Sequence, residues 1–199
     1  MFNSSSQASQ DQFVYQVLLR NNPTYKGFFL DIGSNHPINI NNTYNLETHH
    51  GWSGLLFDYS DMYAATTKEI RKNPFLQADV TSINWSELIE KYNIPSVIDY
   101  VSFDVDDASL KALNIFPFDK LKIKVITMEH DFYCRGESVR DEMRRILTSH
   151  GYQIICKDVK NIGNEYEDWW YHPDFVNYDD IKYLESEKIE WSDIQKKYI

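Results

Sequence analysis

The sequence predicts an α/β fold in which a doubly wound, mostly parallel sheet carries helices on both faces. Three observations support this prediction. Short continuous apolar runs recur along the chain, and several of them end in an acidic residue, as expected for strands that are buried on both faces. Helical stretches separate these runs at the spacing of β-α-β units. The 199 residues, 42% of them hydrophobic and 25% charged, suit one globular domain.

Each element follows from a local pattern. Ser9 is the predicted N-cap of a first helix, whose apolar stripe includes Phe13 and Val17, and which ends before Pro23. The predicted strands are 27–32, 53–58, 75–79, 98–104, 123–129, 152–156 and 169–176. The predicted helices between them are 62–72, 85–92, 108–115 and 137–150. We expect one domain over 1–199, with a loose arm at 1–9 and an acidic helical tail at 177–199.

Composition excludes several classes of protein. The 20 basic and 30 acidic residues give a net charge of −10, which argues against an enzyme that holds nucleic acid mainly through phosphates. No apolar run approaches the ~20 residues of a membrane span, and the first twelve residues lack the apolar core of a secretory signal. Cys134 and Cys156 form no C-x-x-C pair, so we expect a reducing, cytoplasmic compartment.

The acidic residues at the strand ends are the candidate functional residues. In a doubly wound sheet, ligands bind beyond the carboxyl ends of the strands, so these residues should face one crevice. The first strand ends in Asp31-Ile32-Gly33-Ser34-Asn35, where glycine lets the backbone turn tightly and approach a ligand. This segment is neither G-x-G-x-x-G nor a P-loop, so it does not predict phosphate binding. The alternative is an ordinary turn.

Two further acids end the second and third strands. Asp58 could accept hydrogen bonds from ribose hydroxyls, or it could cap the turn that follows it. Asp79 could bind an adenine amino group, or it could cap the next helix together with Thr81.

The fourth and fifth strands end in the densest acidic cluster. Asp104, Asp106 and Asp107 lie within four positions, and clustered like charges need a cation, a substrate hydroxyl or protonation to compensate them. Asp106 and Asp107 could instead cap the next helix. Neighbouring parallel strands place Glu129 and His130 beside Asp104, and these three side chains suit Mg²⁺ or Mn²⁺. His130 is also a candidate general base, or a purely structural histidine.

Two other clusters have both a structural and a functional interpretation. The segment Trp169-Trp170-Tyr171-His172-Pro173 is a packing cluster or an aromatic platform for a sugar, with Trp170 and His172 touching the substrate. The arginines that follow the fifth strand form a solvated helix face or meet an anionic acceptor. They are Arg135, Arg140, Arg144 and Arg145.

In their order and spacing, these motifs resemble the FkbM-type S-adenosylmethionine-dependent methyltransferases, a class I, Rossmann-like group. The resemblance runs from about residue 7 to 176. The segments that carry it are Gln10-Asp11, Phe13-Val14, Gly27-Phe28-Phe29-Leu30-Asp31-Ile32-Gly33, Asn42-Thr43-Tyr44, Leu46-Glu47, Gly51-Trp52-Ser53-Gly54-Leu55, Asp99-Tyr100-Val101-Ser102-Phe103-Asp104-Val105-Asp106 and Val125-Ile126-Thr127-Met128-Glu129-His130.

The resemblance implies a seven-stranded sheet with an antiparallel last strand. It also implies a cofactor site in which the loop after the first strand holds the methionine part, Asp58 takes the ribose, and Asp79 and Val80 flank the adenine. Asp104 would line the methyl-transfer crevice, and Glu47 would face it as a substrate contact. The loop residues implied are Asp31, Gly33, Ser34 and Asn35.

The sequence departs from the family pattern at three places. Pro37 stands where a further glycine is common, Asp58-Tyr59 replaces a Glu-Pro pair, and Ser109 stands where glutamate is usual. The aspartate at the ribose position keeps the same chemistry, whereas Ser109 lies on the acceptor side. The resemblance therefore predicts the cofactor better than it predicts the acceptor.

A looser resemblance to metal-dependent sugar and catechol O-methyltransferases places Mg²⁺ or Mn²⁺ on Asp104 or Asp106 with Glu129 and His130. The expected activity is methyl transfer to a hydroxyl, with a sugar or glycan as acceptor, and the catalytic candidates are Asp104, Asp106 and His130. The alternatives are a cofactor- or metal-binding module without turnover, and a nucleic-acid or cap methyltransferase. Homo-oligomer formation is left open.

Overall fold

A computed structural model describes residues 3–198, which fold around one eight-stranded sheet. The strand order is β3-β2-β1-β4-β5-β7-β6-β8. The strands are β1 (Phe28–Ile32), β2 (Ser53–Asp58), β3 (Phe75–Gln77), β4 (Val97–Phe103), β5 (Lys122–Glu129), β6 (Gln153–Asn161), β7 (Asn164–Tyr171) and β8 (Ser186–Glu187). Strands β1 to β5 are mutually parallel, and β7 runs antiparallel to β5 and to β6.

Helices cover both faces of this sheet. They are α1 (Gln10–Val14), α2 (Tyr44–His50), α3 (Ala64–Ile70), α4 (Trp85–Tyr92), α5 (Ser109–Ile115), α6 (Phe132–Arg135), α7 (Glu137–Ser149), α8 (Tyr178–Ile181) and α9 (Trp191–Tyr198). A π-helical stretch, Tyr15–Leu19, continues α1, and one 3₁₀ turn, Asp106–Ala108, precedes α5. None of the helices in the described part of the chain is long and apolar enough to cross a membrane.

The two faces of the sheet bury separate apolar clusters, because side chains alternate along a strand. On β5, Ile126 and Met128 belong to the cluster that contains Phe103, whereas Val125 belongs to the one that contains Tyr100. The same alternation continues to the strand ends and decides on which face each acidic side chain lies.

The doubly wound, mostly parallel sheet is confirmed, and two details of the prediction are wrong. The sheet has eight strands instead of seven, because β8 pairs with β6. The seventh strand starts at Asn164 instead of Trp169, and it is paired with β6 through a tight hairpin. Ile162 and Gly163 in that hairpin have φ of 52° and 81°, as a type I′ turn requires.

The first helix also differs from its prediction. Ser9 has φ of 67° and its side chain makes no capping hydrogen bond, because a left-handed residue does not hold the extended geometry of an N-cap. Residues 3–9, which the sequence assigned to a loose arm, end in buried Ala8 and Ser9. Met1 and Phe2 of that arm lie outside the described residues, and so does Ile199 of the predicted tail.

Candidate active site

A crevice of about 1070 Å³ opens where β1 to β5 end. The residues that the sequence placed at the strand ends line it together: Gly33, Asn35, Asp58, Asp79, Val80, Asp104, Asp106 and Glu129. Parallel strands bring their carboxyl ends to one edge of the sheet, so the predicted convergence is confirmed for these eight residues. Asp31, Ser34, His130, Glu47, Trp170 and His172 are absent from the described lining.

Gly33 brings the turn after β1 close to the backbone at the end of β4. Its φ is +93°, and a Cβ atom at this position would lie 1.7 Å from the carbonyl oxygen of Asp104. The amides of Gly33 and Ser34 both donate to the Phe57 carbonyl at 2.9 Å. Only glycine can therefore join the end of β1 to the ends of β2 and β4 in this way.

Asp31 and Ser34 fix the loop after β1 through buried hydrogen bonds. The Asp31 carboxylate is buried and accepts hydrogen bonds from Thr43 Oγ1 at 2.7 Å and Asn41 Nδ2 at 3.2 Å. Burial raises the pKa of Asp31, against the opposing effects of Thr43 and of nearby Arg71. Asn41 Nδ2 also donates to the Ser34 carbonyl at 2.8 Å. Asp31 and Ser34 thus hold the loop in shape, whereas Gly33 and Asn35 line the crevice.

Asp58 connects two crevice loops. Its Oδ2 accepts the backbone amide of Asn35 at 2.8 Å, and its Oδ1 accepts the amide of Ser60 at 2.8 Å. The capping and ligand-binding interpretations of Asp58 are therefore compatible, since each carboxylate oxygen has a second lone pair. Both of those lone pairs remain available to hydroxyl donors in the crevice.

Asp79 and Val80 form the far wall, after β3. Asp79 is exposed and accepts from Thr81 Oγ1 at 2.7 Å and from the Thr81 amide at 2.9 Å. These bonds lower the pKa of Asp79. Helix α4 is capped by Asn84 instead, whose side chain accepts the amide of Glu87. Buried Val80 offers an apolar surface beside a carboxylate, which suits a flat, amino-bearing ring.

Asp104 and Glu129 form a carboxyl pair at the joined ends of β4 and β5. Their side chains share a hydrogen bond, and burial followed by mutual repulsion raises the pKa of Glu129 strongly. Burial and the neighbouring acids also raise the pKa of Asp104, to about 6. Two carboxyls this close cannot both ionise cheaply, so the pair shares one proton at neutral pH. One oxygen of Glu129, Oε2, is buried and receives no hydrogen bond.

Asp106 and Asp131 extend this acidic wall. One carboxylate oxygen from each of Asp106, Glu129 and Asp131 lies within 4.8 Å of the others. Asp106 and Asp131 have left-handed φ values of 48° and 47°, conformations that aspartate tolerates better than most residues. Asp131 was not singled out from the sequence, and its place one residue beyond His130 was the available signal.

His130 lies on the opposite face of the sheet from Glu129. Its ring is buried, with Nε2 3.6 Å from Asp168 Oδ1 and 3.8 Å from Asp158 Oδ1. Arg144 binds the same two carboxylates, at 2.6 Å from Asp158 and 2.7 Å from Asp168. The predicted metal set that combined His130 with Glu129 is therefore not assembled, and His130 cannot reach an acceptor in the crevice as a base.

The three predicted substrate contacts are also structural. Glu47 is buried against Arg71, with a 2.7 Å ion pair, and although burial opposes it, Arg71 lowers the pKa of Glu47. Trp170 is 1% exposed in the core, as in the packing interpretation of that cluster. His172 packs edge-on against Tyr152, and its Nδ1 accepts a backbone amide two residues later.

Two other parts of the lining were not predicted from the sequence. Tyr133 lies on the rim just after β5, and its side chain is 56% exposed. Gln7 reaches the crevice from the segment before α1. Gln7 precedes the first helix and Tyr133 lies in the four-residue helix α6, and both segments are too short for a periodic pattern to show the direction of a side chain.

The model of the methyltransferase FkbM domain matches residues 9–154. The chain belongs to the FkbM methyltransferase family. Its members are S-adenosylmethionine-dependent methyltransferases, and this chain is one. Among curated proteins, none gives a significant match.

Solved structures resemble this FkbM-type methyltransferase in fold at low sequence identity. A Klebsiella pneumoniae protein assigned as an O-methyltransferase has a TM-score of 0.54 and 12% identity, over 86% of this chain and 83% of its own. A Clostridium thermocellum protein assigned as an rRNA methylase has a TM-score of 0.53 and 13% identity, over 86% and 97%. The human methyltransferase 10 domain containing protein has a TM-score of 0.51 and 12% identity, over 86% and 84%.

The crevice of this FkbM methyltransferase fits the cofactor of the family. S-adenosylmethionine carries an ammonium group, a sulfonium, a carboxylate, two ribose hydroxyls and an adenine amino group. Carboxylate side chains suit all of these groups except the cofactor's own carboxylate, either as hydrogen-bond acceptors or by opposite charge. Asp58, Asp79 and Asp104 offer carboxylates along one crevice, and the missing side chain of Gly33 leaves room for close backbone approach. The crevice therefore offers acceptors for the cationic and hydroxyl groups of this cofactor.

Proposed function

We propose that this chain methylates a hydroxyl group of a neutral acceptor, with a sugar or glycan as the acceptor class. The observation that carries the proposal is the carboxyl pair of Asp104 and Glu129 on the crevice wall. A carboxylate with its pKa raised to about 6 is ionised at neutral pH, yet it is more basic than an ordinary aspartate. Such a group can take a proton from an attacking hydroxyl.

In the proposed cofactor site, three residues bind different parts of the cofactor. Asp58 would accept hydrogen bonds from the ribose hydroxyls. Asp79 would bind the adenine through its carboxylate, and Val80 would contact the ring through its apolar side chain. Asp58 also holds the backbone amide of Asn35, so the loop after β1 and the ribose position stay in a fixed relation. When bound, the cofactor supplies an electrophilic methyl group on a sulfonium.

In the proposed reaction, Asp104 orients the acceptor hydroxyl and accepts its proton as the oxygen attacks. Glu129 keeps its own proton and donates a hydrogen bond to Asp104, which holds that carboxylate in place. Asp106 lies on the exposed side of the same wall and would bind a second acceptor hydroxyl. Most of the rate would come from holding the oxygen close to the methyl group.

The charge of the crevice supports an uncharged acceptor. Seven of the described lining residues are acidic, and Lys111 is the basic one among them. Phosphate-rich acceptors would meet repulsion along this wall, which disfavours the nucleic-acid alternative. The exposed ring of Tyr133 beside the acids suits a sugar, because carboxylates accept from its hydroxyls while an aromatic ring covers its apolar face.

We also infer a second, metal-bound state of this wall, in which Asp106, Glu129 and Asp131 hold Mg²⁺ or Mn²⁺, in place of the set that included His130. Binding of the cation would displace the proton of Glu129, because a carboxyl group must be ionised to ligate a metal. All three offer oxygen ligands, which these hard cations prefer. The buried Oε2 of Glu129, which lacks a donor, supports a bound cation there. The metal would lower the pKa of a bound hydroxyl.

Titration calorimetry tests the cofactor site. We expect S-adenosylmethionine and S-adenosylhomocysteine to bind the native chain with micromolar affinity, and Asp58→Ala to weaken binding at least tenfold. Asp119→Ala, which removes an exposed aspartate outside the crevice lining, is the matched control. Equal binding by the native chain and Asp58→Ala would contradict the ribose assignment, and no binding by the native chain would contradict the proposed function.

A turnover assay tests the acceptor and the base. Release of S-adenosylhomocysteine is measured with a panel of methyl glycosides, with glucose 6-phosphate as the charged comparator. We expect methylation of a neutral glycoside, and a loss of about 10²-fold or more in Asp104→Asn. A native chain that binds the cofactor but prefers the phosphorylated sugar would contradict the acceptor class.

Manganese binding tests the metal assignment. At 100 times its dissociation constant, a bound ion stabilises the folded chain by about 2.7 kcal/mol, which a thermal unfolding assay detects. Asp131→Asn should remove this stabilisation, while Asp141→Asn, on the exposed face of α7, should keep it. Equal stabilisation of both variants would contradict this ligand set.

A further inference from the structure

The segment of residues 3–9, here called the strap, is fixed to the protein by one buried carboxylate. Asp11 is fully buried and accepts hydrogen bonds from Ser4 Oγ at 2.5 Å, from the Ser5 amide at 3.0 Å and from Asn45 Nδ2 at 2.7 Å. A buried carboxylate that collects several donors holds them firmly. The strap is therefore an ordered part of the fold.

The strap is also hydrogen-bonded to the loop that carries Gly33 and Asn35. The Ser5 carbonyl accepts the Asn41 amide at 3.0 Å, and Ser5 Oγ donates to the Asn41 carbonyl at 3.0 Å. Asn41 in turn donates to the Ser34 carbonyl at 2.8 Å. One residue, Asn41, thus connects the strap to the turn after β1.

The strap reaches the crevice at Gln7. Gln10, which directly follows it, donates to Glu167 at 3.2 Å, and Glu167 lies opposite Glu129 in the register of β5 and β7. Gln7 lies three residues earlier and lines the crevice. The strap therefore contributes to the crevice lining at Gln7, and the chain just after it is hydrogen-bonded to the strand next to β5.

We propose that the strap is a wall of the acceptor site, with Gln7 contacting the acceptor and with the strap coupled to the cofactor loop through Ser5 and Asn41. A carboxamide both donates and accepts hydrogen bonds, which suits an acceptor with several hydroxyls. This inference rests on the proposed function.

Hydrogen exchange followed by mass spectrometry tests the coupling. Saturating S-adenosylhomocysteine should slow exchange in residues 3–9 by tenfold or more in the native chain. Ser5→Ala removes one side-chain bond to Asn41 and should reduce this protection at least threefold, whereas Ser53→Ala, at the exposed start of β2, should keep it. Unchanged exchange of residues 3–9 in a chain that binds S-adenosylhomocysteine would overturn the coupling.

Steady-state kinetics with the best methylated glycoside test Gln7. Loss of one uncharged hydrogen bond in Gln7→Ala should raise the KM for the glycoside about three- to tenfold. The kcat and the calorimetric Kd of S-adenosylhomocysteine should stay within twofold, and Gln153→Ala, at the start of β6, is the control. An unchanged KM overturns the role of Gln7. Failure of the native chain to bind S-adenosylhomocysteine is a different result, because it removes the proposed function itself.

Discussion

Replacement of Gly33 by alanine tests how tightly the crevice is built. The new Cβ would lie 1.7 Å from the Asp104 carbonyl oxygen and 2.6 Å from the carbonyl carbon. Both are backbone atoms, so no rotation of a side chain relieves the overlap, and β1 and β4 must separate at their ends. The backbone φ of +93° adds strain of about 1–3 kcal/mol. We expect Gly33→Ala to cost more than about 4 kcal/mol, in the exceptional range for one substitution.

Gly163→Ala is the matched control for this prediction. Gly163 also has a positive φ, +81°, but its Cβ would meet nothing within 4 Å. This variant should therefore show the backbone strain alone, about 1–2 kcal/mol. The free energies of unfolding are measured by urea titration with tryptophan fluorescence, and binding of S-adenosylhomocysteine is measured for both variants. Equal destabilisation by the two substitutions would refute the close approach of Gly33 to Asp104.

Three further predictions concern buried charges. Arg71→Met should cost about 3–5 kcal/mol in urea unfolding, because it leaves Glu47 buried without its partner. Although burial opposes it, Arg144 holds the pKa of Asp168 at about 2, below its unfolded value. Asp168 therefore stabilises the fold above about pH 4. The loss in free energy of unfolding caused by Asp168→Asn should become smaller as the pH falls toward 2. The pKa of Glu129 is raised in the folded chain, so this group costs the fold stability at pH values above its unfolded pKa. In the absence of metal, Glu129→Gln should therefore be more stable than the native chain at pH 8, and the difference in the free energy of unfolding should be smaller at pH 5.

The fold was most predictable where one pattern acted alone. Strand 53–58 and helix 85–92 have the predicted bounds, since the first is a continuous apolar run and the second an amphipathic helix that begins after a capping asparagine. Strand β7 was misplaced because its middle carries Glu167 and Asp168. These acids are buried and are compensated by partners distant in sequence, such as Gln10 and Arg144, so a polar sequence hides a buried strand.

The crevice was predictable for the same kind of reason. A parallel sheet brings its carboxyl ends to one edge, so residues that end strands were expected together without knowledge of the loops. Gln7 and Tyr133 come from segments whose direction depends on contacts with Asn41 or with the end of β5. No local period in the sequence carries that information, and the structure was needed to find them.

The misplacement of His130 is more instructive, because the sequence did contain the evidence against it. Side chains alternate between the faces of a strand, and Ile126 and Met128 pack on one face while Val125 packs on the other. His130 continues the first series and Glu129 the second. Two adjacent residues at a strand end therefore point to opposite sides unless the backbone turns between them. A ligand set that uses both Glu129 and His130 requires such a turn. Asp131, two residues after Glu129, instead lines the crevice and completes its acidic wall.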